Sequence, residues 1–546
     1  MQDKKQSGSY YTPEVLSTFL VNHVFNKYLY ETTGLRILEP SCGDGEFVKP
    51  ITLNLNDKDS CFDLIEIDKE ELSKSLKKAE KILSNNQVNG FNQDFLKFKF
   101  EKTYSLIIGN PPYISKKHLS EEQIQICKEV CQSNISGEVK NIWPAFLIRS
   151  IQYLDENGII CFVLPSELLQ VKYTSGIRKL ILDSFDRVEV FAFNELIFEQ
   201  AEQDVVAIIG IKNHLNLNEH GVSFYQVEKL EDLKIPNYTE RNFNVHRERL
   251  DKWTNYILSD DELNGIDEIS QEAVLFPIAH YCQRAEVGIV TAANNYFIRN
   301  KFDLEPYELN GYIKPILQKS NVINNTITIT QNGFDALKNA NKSVNMVFFD
   351  NVEKSKLSKG ALRFIKEGEE EDLHKRYKMT KRTNWYHVPS VWSSEAIFCK
   401  RSHRFPRIFL NKANVLVTDS FYRVVTKEEY SPPNLVFSFY NTLTLTLAEL
   451  EGRFYGGGVL ELIPSEFKSL LIPYNDLITQ EHYDQLESLF NKSASLNEIL
   501  DFTDPILLPN IDNERIQKLR RIRECLYLRR TKTEKNGEVI DELVSL

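Results

Sequence analysis

The stretch Arg36-Ile-Leu-Glu39-Pro-Ser-Cys-Gly43-Asp-Gly45-Glu-Phe47 limits the possible folds more than any other part of this chain. It reads as a short apolar strand ending in an acid, then a glycine-rich turn, then the start of a helix. Gly43 and Gly45 permit positive φ and let a ligand approach the backbone closely. One G-x-G is weak evidence, because many α/β folds carry one. A second strand, Phe62-Asp-Leu-Ile-Glu66-Ile-Asp68, ends in carboxylates about 20 residues past the turn, where a doubly wound sheet places the acid that holds a ribose diol. A third element, Asn92-Gln-Asp94-Phe95, offers a carboxylate for an adenine amino group and a ring to pack on it. Each acid alone suits a solvated strand end or a helix N-cap. Their order argues for a nucleoside site.

The run Tyr104-Ser-Leu-Ile-Ile-Gly109 leads into Asn110-Pro111-Pro112-Tyr113. Leu106 to Ile108 are apolar and β-branched, as a buried parallel strand requires. The turn that follows lies at the carboxyl end of that strand, where open α/β sheets place their ligands. The Asn110 side-chain carbonyl and the Pro111 backbone carbonyl can both accept hydrogen bonds, and Pro111 with Pro112 keeps the backbone extended. Two acceptors aimed at one planar amino group take both its protons and push its lone pair out of conjugation. Tyr113 adds a flat face for a base. A bare N-P-P is more often a simple turn, but here it follows the nucleoside motifs.

Together with Gly8-Ser-Tyr-Tyr-Thr12-Pro13 ahead of them, these motifs resemble the S-adenosylmethionine-dependent DNA adenine-N6 methyltransferases of the gamma class. That class has the cofactor motifs first, NPPY next and a long region after both. The likeness runs on through Asn157–Pro165, Ser175–Ile181, Glu195-Leu-Ile-Phe198-Glu199 and Asp204–Gly210, and is dense over residues 8–225. It implies methyl transfer to N6 of an adenine flipped out of duplex DNA, within a type II restriction-modification system. Thr12 and Glu39 would lie near the methionine end of S-adenosylmethionine, Gly43 and Gly45 in the turn beneath it, Glu66 on the ribose, and Asp94 with Phe95 on the adenine. Asn110, Pro111, Pro112 and Tyr113 would form the catalytic turn, with Phe198 as a second stacking ring. Further on, Gly288–Phe297, Tyr312–Leu317, Asn384–Tyr386, Thr418–Tyr422 and Gly452–Glu466 resemble the target-recognition domain of the same class. Arg453 and the glycines Gly456 and Gly457 would approach DNA there.

The expected architecture is α/β: a Rossmann-like doubly wound methyltransferase sheet over residues 1–240, and a mixed α+β target-recognition domain over 241–546. A length of 546 residues with 42% apolar and 26% charged side chains suffices for two or more domains. Glu14–Tyr28, Leu119–Val130 and Ile142–Leu154 have helical patterns. Gln203–Ile211 reads as the last clear strand, Gly221–Val227 as one more short strand, and Ile235–Asn242 as a linker. No apolar run approaches a membrane span and the N-terminus is polar, so a cytoplasmic monomer without a signal peptide or membrane partner is expected. The eight cysteines are scattered. Cys127 and Cys131 lie one helical turn apart, but no second pair completes a zinc site, so no metal and buried reduced thiols are expected.

A formal charge of −11 looks wrong for a DNA-binding protein, yet affinity depends on the local field at the phosphates. Between Lys375 and Lys412 ten basic residues, Lys400, Arg401 and Arg404 among them, face one acid, Glu395, with Trp385, Tyr386, Trp392 and Phe398 interleaved. Such a run suits a groove-facing surface. Arg515–Lys535 is a second basic stretch, equally suited to a solvated helix face. The alternative function is an RNA or protein-glutamine methyltransferase using the same NPPY geometry; a non-catalytic DNA-binding subunit would be expected to lack Asn110 or the glycine turn. The cofactor motifs begin early and no paired-acid-plus-Lys cluster stands out, so cleavage is expected of a separate cognate endonuclease.

Overall fold

The computed structural model describes residues 12–55, 59–81, 87–99, 101–135, 137–193, 197, 204–216, 219–234, 239–243, 253, 258–320, 323, 325–350, 352–455 and 458–531. The chain forms two compact units, Met1–Ser259 and Asp260–Leu546.

The first unit is built on one sheet. Its strands are β1 (Arg36–Glu39), β2 (Cys61–Ile65), β3 (Val88–Phe91), β4 (Tyr104–Gly109), β5 (Leu154–Pro165), β6 (Arg187–Phe193), β7 (Val205–Ile211), β8 (Gly221–Val227) and β9 (Thr239–Phe243), in the spatial order β3-β2-β1-β4-β5-β7-β6-β8-β9. The first five run parallel. The chain builds outward from β1 to β3, then crosses back to lay β4 on the other side of β1. That reversal opens a crevice at the carboxyl ends of β1 and β4, the ligand position of doubly wound sheets. Leu106, Ile107 and Ile108 are fully buried, as a strand inside a covered parallel sheet requires. β7 runs antiparallel between β5 and β6.

The first helix packs by its apolar side chains, and two later ones carry side-chain caps. Glu14–Tyr28 buries Leu16, Leu20, Val21, Val24 and Phe25. Asp68 caps Lys69–Ala79 by accepting from the amides of Glu70 and Glu71, and Ser120 with Gln123 forms a capping box on Glu121–Cys131. One expectation fails. The stretch from Ile235 is no simple linker, because Thr239–Phe243 forms β9, antiparallel to β8; residues 235–238 lie outside the described residues. Its polar sequence Thr-Glu-Arg-Asn-Phe lacks an apolar rhythm, and what places it in the sheet is backbone pairing along the β8 edge.

The second unit is mixed α+β. A five-stranded sheet joins Cys282–Val287, Phe421–Thr426, Ala396–Cys399, Ile408–Asn411 and Thr328–Ile329, and a four-stranded sheet joins Ile298–Arg299, Asn345–Val347, Ile313–Leu317 and Leu416–Val417. Among its apolar cores, one lies around Phe297, Met346, Phe349 and Phe364 and another around Leu317, Ile397, Phe409 and Phe421. No helix among the described residues is long and apolar enough to cross a membrane, and no group of His, Cys, Asp or Glu among them could hold a metal ion. None of the eight cysteines forms a disulfide with another; Cys525 is exposed and Cys61 half-buried, contrary to the expectation of buried thiols throughout.

Candidate active site

Four strand ends deliver the candidate residues to one cavity. β1 ends in Glu39, β2 leads to Glu66, β3 leads to Asp94 and Phe95, and β4 leads to Asn110; all of these line the cavity, as do Thr12, Gly43 and Pro112. The turn after β1 has φ of 50° at Gly43 and 86° at Gly45, conformations costly for any side chain with a Cβ. A Cβ on Gly45 would also lie 2.8 Å from Ser75 Oγ. Ser75 in turn donates to the Gly43 carbonyl at 2.8 Å, so the next helix braces the turn. Glu66 accepts from the amides of Gly43 (2.9 Å) and Asp68 (3.0 Å), which ties the second strand to the glycine turn. Asp94 accepts from the Leu96 amide at 2.9 Å, and the Phe95 ring packs on Phe146 with centroids 5.0 Å apart.

Glu39 is the electrostatic outlier. It is 1% exposed, and its Oε2 has no hydrogen-bond partner among the described residues. Burial first, then the neighbouring carboxylates Glu66 and Asp44, push its carboxyl well above the usual range. An orphaned buried acid of this kind is costly unless something arrives to pair with it. A cationic amino acid end of a cofactor would do so. The donor set as a whole fits such a group: an acid for an ammonium, a carboxylate for a ribose, and a carboxylate and ring for a purine.

The NPPY turn is held from within. The Tyr113 hydroxyl donates toward Asn110 Oδ1 (2.6 Å) and the Val163 carbonyl (2.9 Å), and Ser41 donates to the Asn110 carbonyl at 3.3 Å. Tyr113 is 8% exposed and, like Pro111, does not line the cavity. Phe198 lies outside the described residues. Cavity-lining residues not foreseen from sequence include Ser41, Ile114, Ile142 and Phe146. Ser41 sits inside the recognised turn and could have been included; Phe146 lies in an apolar helix, Trp143–Gln152, that reads as plain core.

In the second unit the basic candidates are already partnered. Lys400 and Arg401 both pair with Glu461, at 2.8 and 3.0 Å, and Arg453 pairs with Glu466 at 2.8 Å. Burial works against the Glu461 carboxylate, but Lys400 and Arg401 together hold it below its ordinary range. The Arg404 carbonyl accepts from Arg530 at 3.2 Å. Gly456 and Gly457 lie outside the described residues. Tyr386 and Phe398, read as groove-facing, are core side chains. The helix Asn513–Thr531 spends Arg515, Arg520 and Arg530 on Glu272, Asp504 and Glu449, so these three cations belong to packing.

With this geometry in place, two family matches become interpretable. Residues 32–198 match the Eco57I restriction-modification methylase family, and residues 250–508 match the C-terminal domain of the type II methyltransferase M.Eco57I. The chain belongs to the type II restriction-modification methylases. Among relatives of this methylase, the type II methyltransferase M.AccI of Acinetobacter calcoaceticus is 25% identical over 541 residues, covering 93% of this chain and 94% of its own. M.BanIII of Aneurinibacillus aneurinilyticus is 22% identical over 492 residues, covering 78% and 82%. The type IIL restriction-modification enzyme MmeI, solved in complex with DNA, shares the fold with a TM-score of 0.62 at 14% identity, over 96% of this chain and 79% of that one.

Proposed function

We propose that this methylase transfers a methyl group from S-adenosylmethionine to N6 of an adenine flipped out of duplex DNA, as the modification enzyme of a restriction-modification system with a separate cognate endonuclease. The observation that carries the reading is Asn110 lining the same cavity as Glu39, Gly43, Glu66 and Asp94. Thr12 and Glu39 would hold the methionine end, Glu66 the ribose, and Asp94 with Phe95 the adenine of the cofactor. S-adenosylmethionine, when bound, supplies a methyl group on a positively charged sulfur. Asn110 Oδ1 and the Pro111 carbonyl accept hydrogen bonds from the two amino N–H groups of the target base and so free its nitrogen lone pair for the methyl group, with the sulfur leaving as a neutral thioether. The acidified methylated nitrogen then loses one proton to solvent without any strong base. Tyr113 and Phe198 are the rings assigned to the base faces. Flipping costs a few kcal/mol, offset by pocket contacts. The second unit, from Asp260 on, serves as the DNA target-recognition region.

Sequencing for modified bases in DNA from a host expressing the chain tests this directly. The expected result is one motif carrying N6-methyladenine with the wild type and none with Asn110→Ala, whose cofactor affinity stays near that of the wild type. Modified cytosine instead, or undiminished modification by the variant, would overturn the assignment.

A further inference from the structure

The second unit carries a polar pocket over the apolar core that holds Tyr296 and Leu373, lined by Asn294, Asn295, Glu371, Arg376, Lys378 and Asp419. One wall is a loop in a conformation that side chains with a Cβ rarely adopt, with φ of 68° at Ala292. Arginines hold it there. Arg382 donates to the carbonyls of Val290 (3.1 Å) and Thr291 (2.8 Å), and Arg376 donates to that of Ala292 (3.4 Å). The backbone leading into that loop depends on Gly288, where a Cβ would lie 2.1 Å from the Thr418 carbonyl oxygen. Bare backbone there lets Ile289 pair with Thr418, and the Asp419 amide donates to Ile289 at 3.1 Å. The loop is therefore held by arginine side chains and Asp419 by backbone pairing, while Asn295 stays exposed and Asn294 and Asp419 half-buried.

The side chains mix donors and acceptors. A phosphate asks only for donors and positive charge, whereas a base edge offers both kinds of group in alternation, and Asn, Asp, Arg and Lys are the side chains that match it. The rim has the other half of the chemistry. Tyr377 is 77% exposed, Lys381 Nζ lies 5.4 Å from its ring centroid, and Arg376, Lys378 and Lys381 form no ion pair among the described residues. This sets them apart from Lys400, Arg401 and Arg453, whose charge is answered by Glu461 and Glu466.

We propose that this pocket is where the second unit reads duplex DNA, with Arg376, Lys378 and Lys381 on the phosphates of one strand and Asn294, Asn295 and Asp419 facing a base edge. The proposal rests on the DNA-methylation reading above and adds the surface that decides which sequence is modified. It is tested on the full chain with Asn295→Ala, Asp419→Ala, and a double variant of Lys378→Gln with Lys381→Gln. Either single variant should relax the modified motif at one position, lowering discrimination there roughly tenfold to a hundredfold, with the methylated base unchanged. The double variant should flatten the dependence of log affinity on log salt by about two units, one for each phosphate released. These side chains are exposed or half-buried, and an unchanged melting temperature confirms an intact fold. A wild type that modifies one motif, with variants that keep both motif and salt slope, would overturn this placement alone. A wild type that neither binds nor modifies duplex DNA would overturn the methylation reading and this proposal with it.

Discussion

Tyr113 is tied to the NPPY turn by its hydroxyl, which donates to Asn110 Oδ1 and so fixes which way that side-chain amide points. If the reaction depends on that orientation, Tyr113→Phe keeps the ring and loses the hold. The expected result is a fall in single-turnover rate of about five- to tenfold, the worth of one ordinary hydrogen bond, with the KM for DNA little changed. A phenylalanine variant as fast as the wild type would leave only the ring with a role. Glu39 makes a different prediction. Its raised pKa means that the cofactor-free protein holds a neutral acid there below that value, while an ammonium group beside it favours the carboxylate. Cofactor binding should therefore release a proton. Affinity should rise with pH, by at most about tenfold per unit, and level off once pH exceeds the raised pKa. Calorimetry in buffers of different ionisation heat measures that proton, and Glu39→Gln should abolish the buffer dependence; an affinity independent of pH and buffer would refute the linkage.

At the scale of elements, the helix Glu14–Tyr28 is fastened to β6 through one buried acid. Glu189 is fully buried and meets His23 (2.7 Å), Lys27 (2.6 Å), Tyr28 (2.8 Å) and Arg187 (3.4 Å). Burial opposes its charge, but hydrogen bonds and charge from His23 and Lys27 outweigh it and hold the carboxyl well below its ordinary 4.5. A depressed folded pKa stabilises above the unfolded value, and that stability disappears as pH falls through the folded one. Glu189→Ala should cost about 3–5 kcal/mol at neutral pH, because Arg187 is left buried without its partner, and should flatten the loss of melting temperature below pH 4.5. A cost under about 1 kcal/mol would mean that the network is dispensable. None of this was visible in sequence, since the partners lie more than 160 residues apart in three of the contacts. β1 and β4 were legible because apolar runs and strand-end acids or glycines are local signals. β9 was not, because an edge strand can be recruited by backbone pairing alone. In the cavity, the acids and glycines were legible by spacing, whereas Phe146 and Ile142 carry only the apolar pattern of core.

At the scale of the whole molecule, the net charge of −11 is compatible with a DNA substrate only if cations are concentrated somewhere, and a linear run of them does not say where. Lys400 and Arg401 stand 60 residues or more from Glu461, yet strand pairing puts Arg401 opposite it. One end of the basic run thus meets a buried carboxylate in space, while Arg376, Lys378 and Lys381 of the same run meet none among the described residues. The consequence can be measured. Replacing Lys400 and Arg401 together with alanine should leave Glu461 buried and unpaired, at a cost of about 3–5 kcal/mol in the stability of the second unit. Adding Glu461→Gln to that double variant should recover most of the loss, since it removes the stranded charge. If these two residues instead served phosphates, the double variant would keep its stability and lose salt dependence, and the third substitution would restore nothing. Thermal melts of the single, double and triple variants, set beside a salt titration of DNA binding by each, separate the two roles. The ion-pair role requires the stability loss to appear in the double variant and to shrink in the triple, with the salt slope close to that of the wild type throughout.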